Sequence, residues 1–378
     1  MSNTLKLGNG QWATGKDTLL SFSDTNNNYK PLPFSFSRNS SATVVNKNGL
    51  IETVGSGEPR IDFKDNTKGA LLLEPQRTNY VLKSNDFSLL SGGFVTPNYG
   101  TSPEGLSVSR ILFTDANQSM SSGTSLSTGV VCNFSAYVKG IKGQFIKFAA
   151  GGVDIAHTFS GEWERLSGSA TSINNSWNLN TYGYATARDF LLCGVQLEQG
   201  SYATSYIPTS GQANGVTRVA DVCSNGANDQ VINSTEGVLY FEGNSIANDG
   251  TFKRISIGTS DNVFANSIQL RYNAVDNSIT YQFRVGNVYQ ADLTITANTT
   301  NVNKIACVWK INRFEIWVNG VKQAEDTSGS VPSSNTFNSL FFGKSSNALL
   351  EPFKGNIKDI KLYDTALTDQ ELIALTTI

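Results

Sequence analysis

The feature that most constrains this chain is a tight reversal between two extended runs: Ile316-Trp317-Val318 leads into Asn319-Gly320 and then Val321-Lys322. Asn-Gly readily supplies the two positive φ angles of a primed turn, so the run predicts a β-hairpin. A second pattern agrees. In Phe134-Ser135-Ala136-Tyr137-Val138-Lys139, the residues Phe134, Ala136 and Val138 point to one face, and Ser135, Tyr137 and Lys139 to the other, as a half-buried strand demands.

Further extended candidates lie at 130–138, 144–150, 163–169 and 190–197, and then at 237–243, 252–258, 267–272, 278–285, 303–310, 313–318, 338–343 and 355–363. Short strands at this spacing predict sandwiches of antiparallel sheets. Near the end, Thr368-Asp369-Gln370-Glu371 places a capping hydroxyl three residues before a glutamate, ahead of Leu372, Ile373 and Leu375, and predicts a short helix. The expected fold is mainly β: an extended N-terminal segment, two antiparallel β-sandwich (jelly-roll) domains and a short C-terminal helix.

At 378 residues the chain is long enough for two or three domains. The expected boundaries are an N-terminal region at 1–83, a first sandwich at 84–210, a linker at 211–232 and a second sandwich at 233–378. Residues 24–30 are polar and Pro31 and Pro33 break any helix, so the first region is expected to gain order only against a partner. The 211–232 stretch, rich in Gly, Asn, Ser and Asp, reads as a connector.

Charge excludes one class of partner. Twenty-nine basic against 31 acidic residues give a net charge of -2, and no Lys/Arg cluster forms the stripe that nucleic acid requires. No apolar run reaches the roughly 18 residues of a membrane span, and Met1-Ser2-Asn3-Thr4-Leu5-Lys6 does not read as an export signal. Cys132, Cys193, Cys223 and Cys307 lie far apart without metal or redox spacing. Cys132, Cys193 and Cys307 sit in apolar runs and are expected to be buried and reduced in a cytosol.

The groups that catalysis needs are scarce. His157 is the only histidine, in a predicted strand where a structural role is expected. No alternating carboxylate motif of a sandwich glycosidase is found. Glu315 is expected at a surface position, and Glu162 and Glu164, which flank Trp163, on a solvated strand face. Sugar binding needs exposed aromatic faces beside amides and carboxylates. Of Trp163, Trp177, Trp309 and Trp317, the last two are expected in the core, while Trp177, in the polar stretch 174–180, is the candidate ligand contact, with a loop-anchoring role equally open. No cofactor is expected; Asp261-Asn262 or Asp276-Asn277 could coordinate Ca²⁺, although ordinary turn chemistry accounts for both.

Three passages carry a resemblance. Arg38-Asn39-Ser40-Ser41-Ala42-Thr43-Val44-Val45 with Asn48-Gly49-Leu50-Ile51, then Pro59-Arg60-Ile61-Asp62-Phe63, then Leu73-Glu74-Pro75-Gln76-Arg77-Thr78-Asn79, resemble the opening of phage head-spike and tail-fibre proteins. Gly194-Val195-Gln196-Leu197-Glu198-Gln199-Gly200 through Ser205-Tyr206-Ile207-Pro208, with Thr217-Arg218-Val219-Ala220-Asp221, resembles the end of the carbohydrate-binding-module-like jelly rolls that follow it. Phe314-Glu315-Ile316-Trp317-Val318-Asn319-Gly320, Phe353-Lys354-Gly355-Asn356-Ile357 and Ala366-Leu367-Thr368-Asp369 resemble a laminin-G-like, concanavalin-A-like lectin sandwich.

The resemblance implies a non-enzymatic structural fibre or spike protein of a bacteriophage virion, a head or tail appendage assembled in the host cytoplasm. It further implies virion structural proteins as partners and a homo-oligomer with a trimer favoured; it does not establish a sugar ligand, for which a host surface glycan is the candidate. Residues 1–83 would be the attachment region, with Trp12, Arg38, Arg60, Glu74 and Arg77 as anchoring contacts; pairing of Glu74 with Arg77 inside the subunit is the alternative. The rival functions are a glycan adhesin and a capsular polysaccharide depolymerase.

Overall fold

The computed structural model of the chain describes residues 3–25, 28–88, 94–183, 185–259, 265–344 and 350–378. The fold is mainly β, with antiparallel sheets and a short C-terminal helix, Asp369–Thr376. Residues 1–39, 54–75 and 220–378 make one compact unit; residues 40–53 and 76–219 make another.

In the first unit, two sheets enclose a core. One runs Val222–Ser224, Asn28–Ser37, Thr18–Thr25, Leu5–Gly8, Gly355–Tyr363, Glu236–Ser245, Asn303–Lys310, Arg313–Val318, Val321–Asp326. The other runs Val288–Thr296, Ser278–Val285, Ser267–Tyr272, Lys253–Gly258, Ser339–Phe341. Leu239, Phe241, Ile257, Leu270, Phe283, Cys307 and Ile316 fill the space between them, each fully buried. Burying each large side chain contributes roughly 1.5–3 kcal/mol before the entropy cost of ordering it. The hairpin forms as its sequence predicts, with Asn319 at φ 52° and Gly320 at φ 86°. The opposite face of the larger sheet carries Val238, Val308, Trp317 and Tyr363 against Leu372 of the helix. That helix has the predicted reciprocal cap: Glu371 N donates to Thr368 Oγ1, and Thr368 N to Glu371 Oε2 at 2.9 Å.

The second unit is also a sandwich. One sheet runs Phe94–Thr101, Ser107–Leu112, Asp189–Gln199, Val131–Gly140, Glu164–Thr171; the other runs Ser119–Gly123, Ser176–Asn180, Phe145–Ala150, Val153–Thr158. Phe134, Ala136 and Val138 all point into its core, as their alternation predicts.

The chain divides differently from the expected boundaries. Residues 1–83 form no compact unit of their own, because Leu5–Gly8 pairs with Gly355–Tyr363 in the first unit while Arg77–Asn79 pairs with Val216–Arg218 in the second. Nor is 211–232 a bare connector. Val222–Ser224 pairs with Asn28–Ser37, and Arg218, Asp221, Cys223 and Ile232 are buried.

Candidate functional site

In the smaller sheet of the first unit, alternation decides which groups face away from the core, although Arg254, Ser256, Ser267, Gln269, Thr280 and Gln282 among them are buried. Ile255, Ile257, Ile268, Leu270, Tyr281 and Phe283 turn into the core, so their neighbours turn outward. Three cross-strand rows result: Arg254, Arg271, Thr280 and Thr294; then Ser256, Gln269, Gln282 and Asp292; then Ser267, Arg284 and Tyr289.

These groups are cross-linked among themselves. Arg254 donates to Gln269 and to Glu351, Gln282 Nε2 donates to Asp292 Oδ1 at 3.1 Å, and Arg271 Nε donates to Asn273 Oδ1 at 2.8 Å. Burial pulls the Arg254 guanidinium below its ordinary value, against the opposing pull of Glu351. Two exposed rings flank the network. Tyr289, 48% exposed, lies 4.7 Å from the Arg284 guanidinium, and Phe252, 40% exposed, lies 5.1 Å from that of Arg271. Each arginine holds its ring by cation–π attraction. Of the polar groups in these rows, Asp292 and Thr294 are exposed with the two rings; exposed rings beside a hydroxyl and a carboxylate are what a pyranose, with its apolar C–H face and rim of hydroxyls, can use.

Trp177, the expected ligand contact, lies in the core of the second unit at 1% exposure, 5.7 Å from Phe134 and 6.4 Å from Phe87. Its polar neighbours Asn178 and Asn180 fall on the alternate face of the same strand, which is why the stretch looks loop-like in sequence. The ring therefore offers no face to solvent. Trp309 and Trp317 are core residues as expected; their indole N–H groups donate to Asn233 O at 3.0 Å and Glu315 Oε2 at 2.8 Å. Trp163 is half-buried.

The expected anchoring residues are not brought together on a surface. Arg38, Arg60 and Glu74 are buried in an internal network: Arg60 Nη1 donates to Glu74 Oε2 at 2.7 Å and Nη2 to Asp221, while Arg38 Nη1 donates to Asp221 Oδ1 at 3.0 Å. Charged side chains read as surface groups are thus paired inside the fold, since burial is tolerated only with a partner. Glu74 pairs with Arg60, not with Arg77. Arg77 lies in the second unit with its guanidinium 5.0 Å from the Tyr202 ring. Trp12 donates from Nε1 to Gly69 O at 3.3 Å.

Glu315 also departs from its expected surface position. At 4% exposure it accepts from Arg313 Nε at 2.9 Å, Lys322 Nζ at 3.2 Å and the Trp317 indole. Burial opposes its ionisation, but these donors hold its carboxyl below the ordinary value. His157 Nε2 lies 3.4 Å from Glu164 Oε1 and its ring packs edge-on to Phe159. Glu162 is exposed. Asp261-Asn262 lies outside the described residues; Asp276 sits in a turn where its carbonyl accepts from Ser278 N at 2.7 Å. Among the described residues, no group of three or more His, Cys, Asp and Glu side chains could hold a metal ion. Phe252 and Tyr289 escape sequence reasoning because they are far apart in the chain, and only the strand register brings them to one face.

Residues 229–373 match the family described as the concanavalin A-like lectin/glucanases superfamily. That stretch of the first unit is thus similar to a lectin-type sandwich. Solved structures with similar folds include the Ruminococcus gnavus IT-sialidase CBM40, at 17% identity over 40% of this chain and 93% of that one, TM-score 0.34. The SAP-like pentraxin of Limulus polyphemus is 13% identical over 40% of this chain and 70% of its own, TM-score 0.30. Domains LG4-5 of the mouse laminin alpha1 chain are 10% identical over 79% and 94%, TM-score 0.27. No curated protein is significantly similar in sequence.

Proposed function

We propose that this chain is a non-enzymatic structural fibre or spike protein of a bacteriophage virion whose lectin-type sandwich binds a glycan of the host surface. The observation that carries the binding half is the outward face flanked by Tyr289 and Phe252, in the domain that matches the lectin superfamily. The virion half rests on the resemblance of the passages around Arg38, Arg60 and Glu74 to the opening of phage spikes and fibres. In this reading those three side chains shape the fold, and particle contact falls on exposed parts of the N-terminal segments. The assembled form is a symmetric homo-oligomer, a trimer by analogy with such appendages.

Immunogold labelling of purified virions with an antibody against the chain tests this. Label on a head or tail appendage is expected. Its absence from particles, with the antigen confined to the infected cytosol, would defeat the virion assignment. A purified chain that shortens capsular polysaccharide would replace the binding role with depolymerisation.

A further inference from the structure

A second polar site lies on the outer face of the larger sheet of the first unit, away from the aromatic-flanked face. Three adjacent strands supply its floor: Asp359, Glu242 and Lys304 are cross-strand partners in one row, Lys361 and Tyr240 in the next. The 66–69 loop makes one wall, pinned by the Trp12 indole N–H to Gly69 O, and Ala374 and Leu375 of the helix make another. The half-open pocket has a volume of about 510 Å³, within the range of small-molecule sites.

Two features here cost stability, although Glu242 Oε2 accepts from the Tyr240 hydroxyl at 3.0 Å. Glu242 and Asp359 set carboxylates directly opposite each other, about 5 Å apart at Cβ by sheet geometry, where like charges repel. Asp359 is 1% exposed, and its Oδ1 has no hydrogen-bond partner among the described residues, although its Oδ2 accepts from Lys361 Nζ at 2.7 Å. A buried acceptor without a donor is a place that a hydroxyl of a bound molecule can fill. Around the two carboxylates stand Lys68, Lys304, Lys358 and Lys361. Lys361 is committed to Asp359 and Lys304 to Thr377 O at 2.8 Å; Lys68 and Lys358 form no ion pair among the described residues.

We propose that this pocket binds an acidic saccharide unit, whose hydroxyls donate to Glu242 and Asp359 and whose carboxylate is taken by Lys358 and Lys68. The excess of ammonium groups over carboxylates excludes a bare cation and favours an anion, and the acceptors select one that also carries donors. Gly8, opposite Asp359 in the sheet, permits close packing at that end: at φ 107°, a Cβ there would meet Lys358 O at 2.3 Å and the Trp12 ring at 2.9 Å.

Saturation-transfer NMR on the full chain, with glucuronate and with glucose as probes, tests the assignment. Glucuronate should bind at millimolar concentration or below, and glucose at least about tenfold more weakly. Lys358→Ala and Glu242→Gln should each weaken glucuronate about tenfold, whereas Tyr289→Ala, on the other face, should leave it unchanged; failure of either site is thus read separately. Equal binding of the two sugars, undiminished binding by both variants, or no binding at about 10 mM by the folded chain would overturn it.

Discussion

Arg60 and Glu74 form an ion pair of 2.7 Å with both side chains sealed from solvent, and Asp221 closes it from the other guanidinium nitrogen. Removing one member leaves a charge buried without its counterpart, which typically costs about 3–5 kcal/mol. Arg60→Met is therefore expected to lower the unfolding free energy by about that amount in urea titration. A change below about 1 kcal/mol would mean that the remaining acids reach water or rearrange.

The pairing of Glu315 sets a pH dependence. Its folded carboxyl titrates below its unfolded value, so its contribution is fully present above the unfolded value and is lost as pH falls through the folded one. Thermal melts of wild type and Glu315→Gln should differ by several degrees at pH 7 and converge as pH falls below the ordinary glutamate value of about 4.3 and through the lower folded one. A gap independent of pH would contradict this origin.

The thiols give a third test. Cys132, Cys193, Cys223 and Cys307 are all buried and free. Burial pushes the Cys193 thiol up to about 12 and raises the other three as well. A thiol-reactive dye at pH 8 should label almost none of them in the native chain and all four after denaturation; rapid native labelling of any one would show that its site opens.

Thr368 is expected to contribute through its cap. Thr368→Ala removes the side chain that accepts from Glu371 N, and should cost about 1 kcal/mol and speed amide exchange in the last helix. Unchanged exchange there would mean that packing of Leu372 alone sets the helix's stability.

Local chemistry was legible in the sequence and long-range pairing was not. The turn at Asn319-Gly320, the cap at Thr368 and the inward row Phe134, Ala136, Val138 each follow from neighbouring residues, and each is present. The union of Leu5–Gly8 with Gly355–Tyr363 joins segments some 350 residues apart, and no local pattern encodes it. The same limit explains Arg38, Arg60 and Glu74: a charge reads as a surface group until the partner that buries it, Asp221, is known to lie beside it. Trp177 misled for a period-2 reason, its polar flanks belonging to the other face of its strand. Tyr289 and Phe252 carried no signal of their own, since their proximity to outward arginines exists only after four strands have paired.

Retention on an array of bacterial surface glycans measures the central claim most directly. The folded full chain should bind at least one glycan, and Tyr289→Ala and Phe252→Ala, both at exposed positions where substitution barely alters stability, should each reduce that signal about tenfold. Equal retention by wild type and both variants, or no glycan held by the folded protein, would contradict the assignment of this face.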